Sequence, residues 1–254
     1  MLETTTIITT KSFKLAVYTK GPIEADKLVL VLPGKLDTKD YRHMHAHVDF
    51  LASKGYLALS FDPPGTWESG EDNSLYTMSN YLKAVNEVIE YYGNKQTLLL
   101  GHSRGGSMAM LAGMKNKYVT HFIAIMSHAT FSPESKDQLV NEEWKEKGYR
   151  IHHRDTPSGY ADENKTFKIP YSFLEDEIQY DMLKDLSKCR KPKLFIAGSR
   201  DVGAKLEMIQ ETYERSSEPK HFKVIDSTHR YRQHDNLINE VNGIIDDFIA
   251  KTNF

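Results

Sequence analysis

The chain has 254 residues, of which 39% are hydrophobic and 27% charged, with a formal net charge of −2. That length carries one sizeable core, and the near-even charge balance leaves no basic face for nucleic acid or an anionic membrane. A single cysteine, Cys189, has no partner for an internal disulfide, which suits a reducing compartment, and cytoplasmic localisation is the expectation. Met1–Thr10 lacks a basic stretch followed by a long apolar run and does not read as a signal peptide. No stretch approaches the ~20 apolar residues of a membrane span. With no linker-like block and no repeat, one domain over residues 1–254 is expected, carrying an insertion over residues 131–187.

Phe13–Thr19 alternates apolar and polar residues like an early antiparallel strand. Leu28–Leu32 is a continuous aliphatic run, as in a strand covered on both faces. Tyr41, Met44, Val48 and Leu51 recur at helical spacing, with Gly55 closing that helix. Tyr56–Phe61 is the next strand, and the Pro63-Pro64-Gly65 turn opens a loop. Ser79 is placed as the cap of a helix whose Leu82, Val85, Val88, Ile89 and Tyr92 face inward, ended by Gly93. Thr97–Leu100 is a strand, Met108, Leu111 and Ala112 mark a helix, and Phe122–Met126 is another strand. The strand Leu194–Ala197, a helix near Leu206–Tyr213, the strand Phe222–Ile225 and a last helix marked by Leu237, Val241, Ile244, Ile245 and Phe248 complete the series. Alternation of strand and helix predicts an α/β fold with a mostly parallel sheet covered on both faces, whose ligands bind beyond the carboxyl ends of the strands.

The strand Thr97–Leu100 runs into Gly101-His102-Ser103-Arg104-Gly105-Gly106 and then a helix, which places G-x-S-x-G in its required strand–turn–helix context. A serine held at positive φ on such a turn lifts its hydroxyl above the sheet, and the positions two before and two after must be very small. The competing reading is a glycine-rich turn with a capping serine, and the flanking strand and helix disfavour it.

On these residues the sequence resembles the α/β-hydrolase superfamily, especially its small esterase, lipase and aminopeptidase-like members. The likeness runs from Lys27 to Ile249 outside the insertion and includes Leu32-Pro33-Gly34, Phe61-Asp62-Pro63-Pro64-Gly65, the elbow, and Ala197-Gly198-Ser199-Arg200-Asp201. The resemblance implies the chain order Ser, acid, His. It places the acid at Asp201, after the strand Leu194–Ala197, and the base at His229, after Phe222–Ile225. His234 is the rival base and Asp226 a disfavoured acid, still on or just leaving its strand. It also implies oxyanion donors at the backbone N–H groups of Arg104 and Lys35, although Pro33-Gly34 stands where many relatives carry His-Gly. Whether the Lys35 and Arg104 side chains meet substrate stays open, Arg104 serving a structural salt bridge just as well.

By the same resemblance the insertion forms a lid. Its Phe131, Trp144, Tyr149, Tyr160, Tyr171 and Phe173 fit either an acyl pocket or the lid's own small core, beside Arg150, His152, His153 and Arg154. His43 and His47 share a helical face and look like a metal pair, but Met44 and Val48 belong to that helix's buried stripe, so the histidines are expected toward solvent and no metal is assigned. No G-x-G-x-x-G follows the first buried strand, which disfavours a dinucleotide. The expectation is cofactor-free hydrolysis of a small carboxylic ester by Ser103, Asp201 and His229. Amide hydrolysis, a slow ligand sensor, and a carbon–carbon or hydroxynitrile-cleaving enzyme are the alternatives. Oligomeric state is not legible.

Overall fold

A computed structural model describes residues 6–129 and 138–254, with the side chains of residues 138–141 left aside. In chain order the elements are β1 (Thr6–Thr9), β2 (Lys14–Lys20), β3 (Lys27–Leu32), α1 (Arg42–Ser53), β4 (Leu57–Phe61), α2 (Met78–Tyr91), β5 (Gln96–His102), α3 (Arg104–Lys115) and β6 (Val119–Ile125). There follow α4 (Gln138–Lys147), β7 (Tyr149–Asp155), β8 (Asn164–Pro170), α5 (Ser172–Glu177), α6 (Leu183–Leu186), β9 (Lys193–Gly198), α7 (Leu206–Arg215), β10 (Lys220–Ile225) and α8 (Asp235–Thr252).

Eight strands form one sheet in the order β1-β2-β4-β3-β5-β6-β9-β10. The pairs β1–β2 and β2–β4 are antiparallel, and every pair from β4 onward is parallel. The aliphatic run of β3 explains why the sheet is buried on both faces. Leu28, Leu30 and Leu32 join a core with Val85 and Val88 of α2, Met108 of α3 and Ile209 of α7. Val29 and Val31, pointing the other way, join Met44 and Val48 of α1 and Val241 and Ile245 of α8.

Most expected elements lie within a few residues of their predicted spans. Gly55 and Gly93 follow their helices at φ of +92° and +86°, where a β-carbon would be strained. Ser79 is not the α2 cap. Thr77 fills that role, its side chain accepting from the Asn80 N–H, while Ser79 binds Asp176. Neither β1 nor the β7–β8 hairpin is anticipated by the sequence reading. The hairpin is antiparallel and separate from the main sheet, and with α4 and α5 it occupies the stretch between β6 and β9. Phe131 lies outside the described residues. Trp144 and Phe173 are buried and stacked, with ring centroids 5.9 Å apart, and Phe173 also stacks on Tyr76 at 5.4 Å, so these two aromatics join the core that the stretch shares with the main sheet. Among the described residues no helix is long and apolar enough to cross a membrane.

Candidate active site

β5 ends at His102, and the chain turns at Ser103 into α3. Ser103 holds φ +54° and ψ −122°, a strained conformation for a residue with a β-carbon. A β-carbon on Gly101 would stand 2.1 Å from the backbone of Gly105, and one on Gly105 would stand 2.0 Å from the carbonyl oxygen of Leu32. The first glycine therefore admits the turn itself, and the second admits the end of β3. Because Ser103 immediately precedes α3, its side chain stands at the positive end of that helix's dipole.

Two loops beyond the parallel strands complete the arrangement. Asp201 follows β9, and His229 follows β10, placed by the pairing of these two strands. The His229 Nε2 lies 3.0 Å from the Ser103 Oγ, and its Nδ1 lies 2.7 Å from the Asp201 Oδ2. Asp201 also accepts from the Gly203 and Ala204 N–H groups at 2.8 and 2.9 Å. Burial alone would raise the Asp201 pKa, but the His229 hydrogen bond and these two amides outweigh it and hold the carboxyl below its ordinary value. The imidazole of His229 remains 33% exposed, open to the cleft, whereas the Asp201 side chain is enclosed. The rivals stand apart from this chain of bonds. His234 is exposed at the residue before α8, and Asp226 is exposed and pairs with Arg200 at 2.7 Å.

The cleft over Ser103 encloses about 210 Å³ and is bordered by Lys35, Arg104, Met126, His128, Glu177 and His229, among others. The structure thus brings the Lys35 loop, the elbow and His229 to one opening. The loop after β3 is clamped by residues that the sequence reading did not single out. The Tyr76 hydroxyl accepts from the Leu36 N–H at 2.9 Å, Trp67 Nε1 donates to the Leu36 carbonyl at 3.0 Å, and the Tyr81 hydroxyl donates to the Pro33 carbonyl at 3.1 Å. Only their aromatic character was legible, because the partners come from distant segments. The Arg104 guanidinium forms a buried ion pair with Glu177 of α5 and stacks 4.3 Å from the centre of the Phe173 ring. Of the two roles left open for that side chain, the salt bridge is present. Lys35 Nζ sits over the same ring at 5.4 Å.

The expectation that His43 and His47 face solvent is overturned, since both are fully buried. α1 packs on the sheet and against α8, so the histidines on its inner side are enclosed as well. His47 places Nδ1 2.6 Å from Asn242 Oδ1 and Nε2 3.0 Å from the Tyr231 hydroxyl, and burial pushes its pKa down to about 4. It is a satisfied core histidine rather than a metal ligand paired with His43. A larger cavity of about 1010 Å³ lies elsewhere, bordered by Tyr18, Lys39, Tyr41, His43, Tyr160 and Arg232. It does not include Ser103, and the hydrogen-bonded geometry, not cavity size, marks the smaller cleft as the candidate site.

Comparisons with known proteins follow the same outline. A sequence model described as the alpha/beta hydrolase fold matches residues 27–152. Among solved structures, Est1E from Butyrivibrio proteoclasticus with ferulic acid bound is 18% identical, with a TM-score of 0.74 and coverage of 97% of this chain and 98% of that one. The mouse alpha/beta hydrolase domain-containing protein 10 is 21% identical, with a TM-score of 0.77 and coverage of 98% and 99%. An esterase from Pyrococcus furiosus is 21% identical, with a TM-score of 0.70 and coverage of 98% and 92%. No sequence relative was found among curated proteins. The protein is an α/β-hydrolase in fold, as its motifs led one to expect.

Proposed function

We propose that the chain is a serine hydrolase that cleaves a small carboxylic ester through an acyl-enzyme. The observation that carries this reading is the continuous hydrogen-bonded line from Ser103 through His229 to Asp201 at the floor of an open cleft. A serine hydroxyl becomes a competent nucleophile when a base accepts its proton and an acid fixes that base's tautomer. In the proposed cycle the Ser103 Oγ bonds to the substrate carbonyl carbon as its proton passes to His229 Nε2. The carbonyl oxygen becomes an oxyanion, held by the N–H groups of Arg104 and Lys35. Its collapse breaks the bond to the leaving alkoxide, which takes the proton from His229. Water then repeats the sequence on the acyl-Ser103 ester, releasing the acid and restoring the hydroxyl. Asp201 stays ionised and compensates the imidazolium.

Lys35 is supported as the loop's donor because it borders the cleft over Ser103, whereas the Leu36 N–H is committed to Tyr76. The ester preference is also supported by likeness to the Pyrococcus furiosus esterase. A panel of short nitrophenyl esters and amino-acid amides, run beside Ser103→Ala, tests the reading. Ester turnover that falls at least about 10³-fold in the variant is the expected result. Faster cleavage of the amides would replace the ester assignment, and undiminished turnover in the variant would remove Ser103 from the chemistry.

A further inference from the structure

Beside the elbow, three buried side chains from three segments converge. They are Asp37 from the loop after β3, His43 from α1 and His102 from the end of β5. One potential ligand atom from each lies within 4.8 Å of the others. Neither ring nitrogen of His43 nor Nδ1 of His102 has a hydrogen-bond partner among the described residues, and all three are too enclosed for water to reach. Three orphaned imidazole nitrogens are costly in a protein interior, where buried polar atoms are almost always satisfied.

Their surroundings suit metal ligation. His102 Nε2 lies 3.1 Å from the His229 carbonyl oxygen. A carbonyl only accepts, so Nε2 carries the hydrogen and Nδ1 presents its lone pair. Arg154 binds the Asp37 Oδ1, which orients that carboxylate and leaves Oδ2 against Gly34. A borderline dication bonds to imidazole at about 2.1 Å, closer than a water oxygen can approach, and so fits a space that excludes water. The larger cavity borders His43.

We propose that Asp37, His43 and His102 form a structural site for one transition-metal dication of the Zn²⁺ or Co²⁺ kind. Imidazole with carboxylate is a donor set that such ions prefer over Mg²⁺ or Ca²⁺. The ion fastens the Lys35 loop to the elbow, and through His102 it steadies the main chain at His229. This assignment is independent of the hydrolytic reading and holds even for a chain with no turnover.

The full-length protein, dialysed against a chelator, is titrated with Co²⁺ while its visible d–d absorption and its melting temperature are followed. Uptake of about one equivalent, displacement by Zn²⁺ and a raised melting temperature are the expected results. His43→Gln and Asp37→Asn, with native circular dichroism, are expected to take up less than about a tenth of an equivalent, while His45→Gln, altered on the same helix, keeps full uptake. No uptake by the wild-type chain overturns the proposal, whether or not the variants fold. Equal uptake by folded His43→Gln does so as well.

Discussion

At residue scale the arrangement depends on a few atoms held where the chain alone would not put them. Ser103 adopts a positive φ, and Asp201 accepts three hydrogen bonds that together overcome the cost of burying its charge. Asparagine at position 201 keeps the shape but cannot compensate an imidazolium, and its amide turns His229 toward the wrong tautomer. Asp201→Asn is therefore expected to lower kcat by about 10³–10⁴-fold with little change in melting temperature, read from ester hydrolysis beside a thermal melt. A fall of less than about tenfold would detach Asp201 from the proposed cycle.

At the scale of elements, the loop after β3 and the stretch between β6 and β9 are pinned to the parallel sheet by side chains. Arg104 of α3 and Glu177 of α5 are both only 7% exposed at their side chains, and the two charges pair out of reach of bulk water. Glu177→Ala leaves a buried guanidinium without its carboxylate and is expected to cost about 3–5 kcal/mol in urea unfolding. Arg104→Met with Glu177→Leu is expected to recover most of that loss, because the apolar pair no longer demands solvation. A different limit operates on α8. Gly243 lies exposed inside that helix with open space around its α-carbon. Gly243→Ala restricts the unfolded chain at no steric cost and is expected to add about 0.5–1 kcal/mol, measured by the same unfolding curves.

For the whole molecule, the two faces of the sheet differ in what they bury. The face against α1 and α8 encloses His47, Asn242 and Tyr231 beside the buried His43, among apolar side chains. His47 is neutral when folded, with its pKa pushed to about 4 by burial from an ordinary value of 6.5. The unfolded chain thus binds its proton first as the solution is acidified. The stability contributed by keeping this ring neutral is complete above pH 6.5 and is lost as pH falls through 4. That loss amounts to about 3 kcal/mol. Glutamine can donate to Asn242 and accept from Tyr231 without titrating. His47→Gln is therefore expected to lose about 3 kcal/mol less than wild type over that interval, as judged by denaturant melts at a series of pH values.

The order of strands and helices, the mostly parallel sheet and the elbow were legible in the amino-acid sequence, because each rests on local spacing. An unbroken aliphatic run such as Leu28–Leu32 has two buried faces wherever it sits, and glycines flanking a serine after a strand admit only a few backbone shapes. Asp201 and His229 were legible through their positions after strands, but their union with Ser103 required the β9–β10 pairing that sets the two loops side by side. The sequence could not show that His43 and His47 point inward, since helical spacing ranks faces by average apolarity and says nothing of polar partners on a neighbouring element. Nor could it show Tyr76, Trp67 and Tyr81 clamping one loop, or Glu177 meeting Arg104 across 73 positions. Such contacts depend on where distant segments come to rest, and only tertiary packing decides that.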